Sequence, residues 1–267
     1  VRVEEHTIEL AEAPVFYRTA DAESILYLHG VPTSSDDWPA FLERTGGLAP
    51  DLIGFGRSAK GGHLDYTPHG LEQFVERFLA ALSLDQVSLV GHDWGATIAL
   101  LFAQRHPDRI DRLVVIDPVP LLDGFRWGRA ARIWRRPVVG ELAMGSTTRW
   151  VFDRSMRRGC LRPDAWPRER LTALWEQFDQ GTQRAILRLY RAAPEQWLAQ
   201  AGAGLHSIRS PALVLWGEAD PWIPVALGEQ LVGRLPDARL ERIGEAGHWP
   251  WLEQPAVLDR VAAFLTG

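Results

Sequence analysis

Apolar runs of strand length alternate along this chain with stretches of helical spacing. Val3, His6, Ile8 and Leu10, then Val15 and Tyr17, alternate with polar neighbours, so residues 1–19 read as an edge hairpin with its break near Pro14. Ser24 to Leu28, Gln86 to Val90, Ile110 to Ile116 and Ala212 to Trp216 are short, nearly continuous apolar runs. Such runs suit parallel strands buried on both faces. Arg239 to Ile243 reads as a last strand, and the glycines of Leu48 to Ser58 mark a tight turn after another. Between them, Trp38 to Arg44, Thr67 to Leu82, Ala96 to Arg105, Val225 to Leu235 and Pro255 to Leu265 read as helices. In the 67–82 stretch Leu71, Phe74, Val75, Phe78, Leu79 and Leu82 fall on one face. Strands and helices in alternation predict a doubly wound α/β sheet.

The pattern changes at Leu121. From there to about Gly202 no strand is evident, and helical stretches rich in Arg and Trp are interrupted at Pro137, Gly140, Pro163, Pro167, Gly181 and Pro194. Residues 121–202 therefore read as a helical insertion covering one face of a core made of 1–120 and 203–267.

The punctuation between elements carries the chemistry. In Val90-Gly91-His92-Asp93-Trp94-Gly95 a strand turns sharply into a helix, with small residues two places on either side of Asp93. That is the pattern of a nucleophile elbow, with Asp where Ser is usual. A carboxylate nucleophile attacks a carbon bearing a leaving group or in a strained ring and becomes an alkyl ester. The plainer alternative is Asp93 as an ordinary helix cap. Asp220, after the 212–216 strand, and His248, after the last strand, complete a nucleophile–acid–base order at strand ends, where ligands gather in open α/β sheets. His248, oriented by Asp220, would deprotonate the water that splits the ester. Asp117, at the end of the 110–116 strand, is the rival acid; the Gly217-Glu218-Ala219-Asp220 context favours Asp220. The oxyanion formed on Asp93 requires two donors, assigned to the backbone N–H groups of Trp94 and Val31. For the latter to point inward, the Val31–Pro32 bond is predicted to be cis.

Bulk properties narrow the class. The 267 residues and ordinary 46% hydrophobic content fit one large soluble domain. A net charge of −5 argues against nucleic-acid and anionic-membrane partners, although a local basic patch can hide within it. One cysteine, Cys160, excludes an internal disulfide and a thiolate metal cluster and suits the cytosol. No run approaches the length of a membrane span. The expected partner is a small molecule, with no cofactor or metal, acting on a monomer or homodimer.

His29-Gly30-Val31-Pro32, Asp51 to Ser58, Gly91 to Gly95, Gly217 to Asp220 and Gly247-His248 together resemble the α/β-hydrolase superfamily, in its epoxide hydrolase and haloalkane dehalogenase branch. The likeness spans nearly the whole chain and implies an eight-stranded, mostly parallel sheet with helices on both faces and the insertion as a cap. It implies that Tyr190 protonates an opening epoxide oxygen. The companion tyrosine of the epoxide hydrolases is missing, since no Tyr lies between Leu121 and Leu189. It also implies that Trp94 faces the substrate, as it would a halide; Val31 lacks the side-chain donor that many dehalogenases have there. The arginines that fluoroacetate dehalogenases carry after the nucleophile are missing too. Trp38, Trp150 and Trp249 are candidate substrate contacts. Trp38 has the alternative of seating its loop, and Trp150, with Trp134 and Trp175, the alternative of filling the cap core. His29 and His92 read as structural, and the arginines of 126–136 and 154–158 as solvated helix faces. Epoxide hydrolysis is the leading expectation, haloalkane dehalogenation the first alternative, and a ligand-binding member without turnover a third of another class.

Overall fold

The computed structural model describes residues 2–10, 13–21 and 24–267. Val1, Ala11, Glu12, Ala22 and Glu23 lie outside the described residues. Eight strands form one sheet: β1 Glu4–Leu10, β2 Ala13–Ala20, β3 Ile25–Leu28, β4 Gly47–Pro50, β5 Val87–His92, β6 Ile110–Ile116, β7 Ala212–Gly217 and β8 Ala238–Ile243. Their spatial order is β1-β2-β4-β3-β5-β6-β7-β8. β1 pairs antiparallel with β2, and β2 with β4; every later pairing is parallel. The edge strand β1 alternates exposed and half-buried positions, whereas β3, β5 and β7 are buried at every residue. This is the distinction the apolar patterns predict.

Among the core helices, α1 (Pro39–Thr45), α2 (Pro68–Ala81) and α3 (Trp94–Arg105) follow the first strands. Thr67 caps α2 by accepting the Gly70 N–H, and Pro68 occupies its first turn, as both residue types favour. α3 leaves the centre of the sheet against β5 and β6 and is buried along most of its length. Between β6 and β7 lie six helices and no strand: α4 Arg129–Trp134, α5 Val139–Gly145, α6 Arg149–Arg158, α7 Arg168–Gln177, α8 Gln180–Ala192 and α9 Glu195–Ala201. Gly140 and Gly181, expected as breaks, lie inside α5 and the first turn of α8. Gly140 is buried against the Trp134 carbonyl, where a methyl group would collide. Asp179 caps α8 just before Gly181, so the glycine's helix penalty is offset locally. The chain ends with α10 Ala226–Val232, α11 Pro250–Glu253 and α12 Ala256–Thr266. Among the described residues no helix is long and apolar enough to cross a membrane.

Candidate active site

Asp93 stands at the tip of β5 with φ +51, a conformation rare for a residue with a side chain. The turn is held open by what surrounds it. A Cβ on Gly95 would run into the Leu28 carbonyl, and one on Gly91 into the Ala96 backbone. Only glycine lets β5, β3 and α3 approach this closely. The strain fixes the carboxylate above the sheet, as strained positions at reactive sites do.

One carboxylate oxygen of Asp93, Oδ2, accepts the Val31 N–H at 2.9 Å. The Val31–Pro32 bond is cis, as the sequence predicted. Burial raises the Asp93 pKa above the ordinary carboxylate value, against the pull of His248 and the N–H groups of Val31 and Trp94. The other oxygen, Oδ1, lies 3.8 Å from His248 Nε2, beyond hydrogen-bond reach. No hydrogen bond therefore joins His248 Nε2 to Asp93.

His248 follows β8 in a loop fastened at both backbone groups. Its N–H donates to the Gly159 carbonyl at 2.7 Å, and its carbonyl accepts His92 Nε2–H at 2.7 Å. On the ring, Nδ1–H donates to Asp220 Oδ2 at 2.7 Å, leaving Nε2 as the free nitrogen of the neutral tautomer. Asp220 Oδ1 in turn accepts the N–H groups of Trp222 and Ile223, which orients its carboxylate. Burial alone would depress the His248 pKa. The charge and hydrogen bond of Asp220, with Asp93 and Asp37, outweigh burial and raise it.

Asp117 also reaches this cluster. It has φ +43 at the end of β6 and accepts the Gly217 N–H at 3.0 Å, but it does not hold the imidazole. Burial and the neighbouring Asp220 charge push its pKa far up. Asp117, Asp220 and His248 bring potential ligand atoms within 4.8 Å of one another, as do Glu72, Glu76 and His106 elsewhere. In the first group the His248–Asp220 hydrogen bond engages Nδ1; in the second, Arg105 pairs with Glu72 at 3.0 Å.

Tyr190 sits in α8, buried among Trp94, Trp127 and Trp134 with ring separations of 5.5, 4.9 and 5.2 Å. Burial and the Asp93 charge raise its phenol pKa, so the hydroxyl keeps its proton. Trp94 is wholly buried, and among the described residues its indole N–H, which faces Tyr190, has no partner within hydrogen-bond geometry. Trp127 stacks on Trp94, but its own N–H is committed to the Ala193 carbonyl at 2.9 Å.

The remaining expected contacts divide. Trp249 packs edge-on against the His248 ring at 4.9 Å and is buried. Trp38 is fully buried with Tyr27, Phe41 and Trp251, an aromatic cluster that seats the loop before α1. Trp150 is a correction. It is 70% exposed on α6, so it neither lines a site nor fills the helical core; Phe152 takes the inward position two residues on. Trp134 and Trp175 pack within the helical segment. His29 donates from Nδ1 to the Gly30 carbonyl and accepts the Leu52 N–H at Nε2, tying together the loops after β3 and β4.

Several residues escaped the sequence reading. Glu253 is buried in α11 and accepts the N–H groups of Gly247, Leu161 and Arg162, fastening the His248 loop to the chain beyond α6. Asp37, buried before α1, pairs with Arg170 of α7. That pair lines a cleft of about 780 Å³ shared by the two segments. Trp222 faces the His248 ring at 4.9 Å. A Glu among apolar residues in Trp251-Leu252-Glu253 was the one available signal for Glu253; nothing local marks Asp37.

Residues 25–261 match the sequence model of the alpha/beta hydrolase family. A 2-hydroxy-6-oxo-2,4-heptadienoate hydrolase of Pseudomonas putida is 30% identical over 223 residues, 78% of this chain and 73% of that protein. Epoxide hydrolase 2 of Caenorhabditis elegans is 25% identical over 265 residues, covering 90% and 72%. The crystal structure of a haloalkane dehalogenase from Bradyrhizobium elkani superposes with a TM-score of 0.86 at 24% identity, covering 100% of this chain and 98% of that one. At that identity the likeness is one of fold.

Proposed function

Because the chain belongs to the alpha/beta hydrolase family, we propose that it opens small, largely apolar epoxides to diols through a covalent ester on Asp93, with residues 121–202 as the cap over the site. The carrying observation is the placement of Tyr190, a buried hydroxyl beside Trp94 and within reach of the Asp93 charge.

Asp93 attacks an epoxide carbon, the C–O bond of the ring breaks, and the ring oxygen takes the Tyr190 proton. His248 Nε2 then removes a proton from water, whose oxygen attacks Asp93 Cγ. The resulting oxyanion is held by the N–H groups of Val31 and Trp94. Collapse breaks the ester bond, the departing alkoxide takes the proton left on the Asp93 carboxyl to give the diol and the carboxylate, and the proton on His248 restores the buried phenol. Loss of the Asp93 charge on esterification removes one of the charges that raise the His248 pKa. That change favours the neutral imidazole at the stage that needs a base.

Haloalkane hydrolysis is the second reading, favoured by the unpartnered Trp94 indole N–H. It ranks below because neither neighbour supplies a second N–H beside Trp94: Trp127 donates to Ala193, and Val31 has no side-chain donor.

The test is incubation with styrene oxide and with 1-bromobutane, scored for diol and for bromide. Diol without bromide supports the first reading, and bromide without diol the second. His248→Gln should accumulate the alkyl ester, seen as an intact-mass increase on Asp93. No product and no adduct would reject both, and tight ligand binding without turnover would mark a non-catalytic member.

A further inference from the structure

We propose that the outer face of the helical segment between Ile133 and Leu161 docks onto anionic phospholipid bilayers. The proposal does not depend on the chemistry above. Among the described residues, seven of the eight large hydrophobic side chains exposed to solvent fall within 133–161. Val138, Leu142 and Trp150 are 68%, 69% and 70% exposed. Scattered exposed apolar residues require no explanation, but this concentration in one short segment does.

The same stretch is strongly basic. Residues 124–162 hold ten arginines against two carboxylates, Glu141 and Asp153, in a chain of net charge −5. Some of these arginines are paired: Arg135 with Glu195, and Arg149 with Asp153. Exposed Arg129, Arg132, Arg136 and Arg158 have no carboxylate partner among the described residues. Arg154 lies 5.7 Å from the ring of exposed Trp150. Arginine around exposed aliphatic and indole side chains is the composition of helices that lie in a bilayer interface.

The α4–α5 end presents its apolar groups outward on a firm support. Pro137-Val138-Val139 forms the tip between α4 and α5, and Val138 is held at φ +67, a left-handed conformation unusual for a β-branched residue. Behind the tip, Gly140 and Met144 are buried, and Arg191 of α8 bonds the Trp134 carbonyl and both oxygens of Glu141. The apolar tip is thus fixed in water rather than folded back onto the protein. A second copy of the chain is the weaker occupant, because a two-fold contact through this face sets arginine against arginine. Anionic headgroups complement those charges, and the acyl region accepts Val138 and Leu142.

Co-sedimentation with vesicles of phosphatidylcholine alone and of a phosphatidylcholine–phosphatidylglycerol mixture tests this, using the full chain at low and high salt. The protein should pellet with the mixture at low salt and be released by high salt. Val138→Asp/Leu142→Asp and Arg132→Glu/Arg136→Glu should each reduce the bound fraction by about fivefold or more. Their melting temperatures should match the parent, since the sites are exposed; Trp150→Glu is an independent third variant should either fail to fold. Equal binding to both vesicles, no binding to the mixture, binding that survives all three variants, or a dimer abolished by Val138→Asp/Leu142→Asp without vesicle binding would each overturn the proposal.

Discussion

Asp117 and Asp220 meet as two buried carboxyl groups beside one imidazole, and only Asp220 bonds it. Two such groups so close together cannot both ionise without a large penalty. Burial and that proximity push the Asp117 pKa far up, and Asp220 is the member bonded to His248. Asp220→Asn is expected to lower kcat by about 10³-fold, because the amide no longer holds the imidazolium in place. Asp117→Asn should keep kcat within about tenfold, since an amide also accepts the Gly217 N–H and donates toward Asp220. Steady-state kinetics on both variants decide it; the opposite ranking would make Asp117 the acid of the triad.

Tyr190→Phe removes the proton donor and leaves the aromatic packing with Trp94, Trp127 and Trp134 in place. Ester formation from styrene oxide should slow by about 10²-fold while ester hydrolysis is unchanged. Single-turnover kinetics separate the two steps. Equal opening by the variant would remove Tyr190 from the mechanism.

The two steps should differ in pH dependence. Ester formation needs ionised Asp93, whose raised pKa means that this step is lost as pH falls through a value above that of an ordinary carboxylate. Hydrolysis needs neutral His248 and rises with pH. His248 in the free protein titrates above an ordinary histidine, partly through the Asp93 charge. Once Asp93 is esterified that contribution is gone, so the midpoint for ester decay should fall below the His248 midpoint measured by NMR in the free protein. Coincident midpoints would show that Asp93 does not influence the imidazole.

The Asp37–Arg170 pair predicts a pH-dependent stability. Burial lifts the Asp37 pKa to about 6 despite Arg170. A carboxylate whose folded pKa lies above its unfolded value loses stability as pH rises between the two. Arg170→Ala lifts the folded pKa further, because the Asp37 side chain stays fully buried without its cation. The variant should lose about 2 kcal/mol at pH 8, reduced from the full cost of a broken buried pair because Arg170 is a quarter exposed. At pH 5 the loss should be smaller, since Asp37 can take up a proton. Urea unfolding at both pH values measures the difference.

The strands and the elbow were legible because their signals are local. β6 was read residue for residue, and the apolar runs of β5 and β7 needed only short extensions. Asp93, Asp220 and His248 could be gathered because each follows a strand, and strand ends share one edge of a parallel sheet. The helical segment was harder. Gly140 and Gly181 read as breaks because local propensity opposes glycine in helices, while close packing of α5 and the cap of α8 override it. Trp150 read as inward because tryptophan usually is, and helix periodicity cannot say which face meets the core. Glu253 and Asp37 were not visible in the sequence for a different reason. Their partners lie 91 and 133 positions away, and such pairings follow only from the folded topology.

Gly159, at the end of α6, holds the His248 backbone N–H, and Glu253 binds Leu161 and Arg162 on one side and Gly247 on the other. The imidazole proposed as the base is therefore suspended from the very segment proposed to cover the site. Grafting that segment from another member of the family would misaim the imidazole unless residues 159–162 stayed matched to their acceptor. Remodelling of the segment is less constrained away from residues 159–162, provided that the packing of Trp134 against Tyr190 is kept.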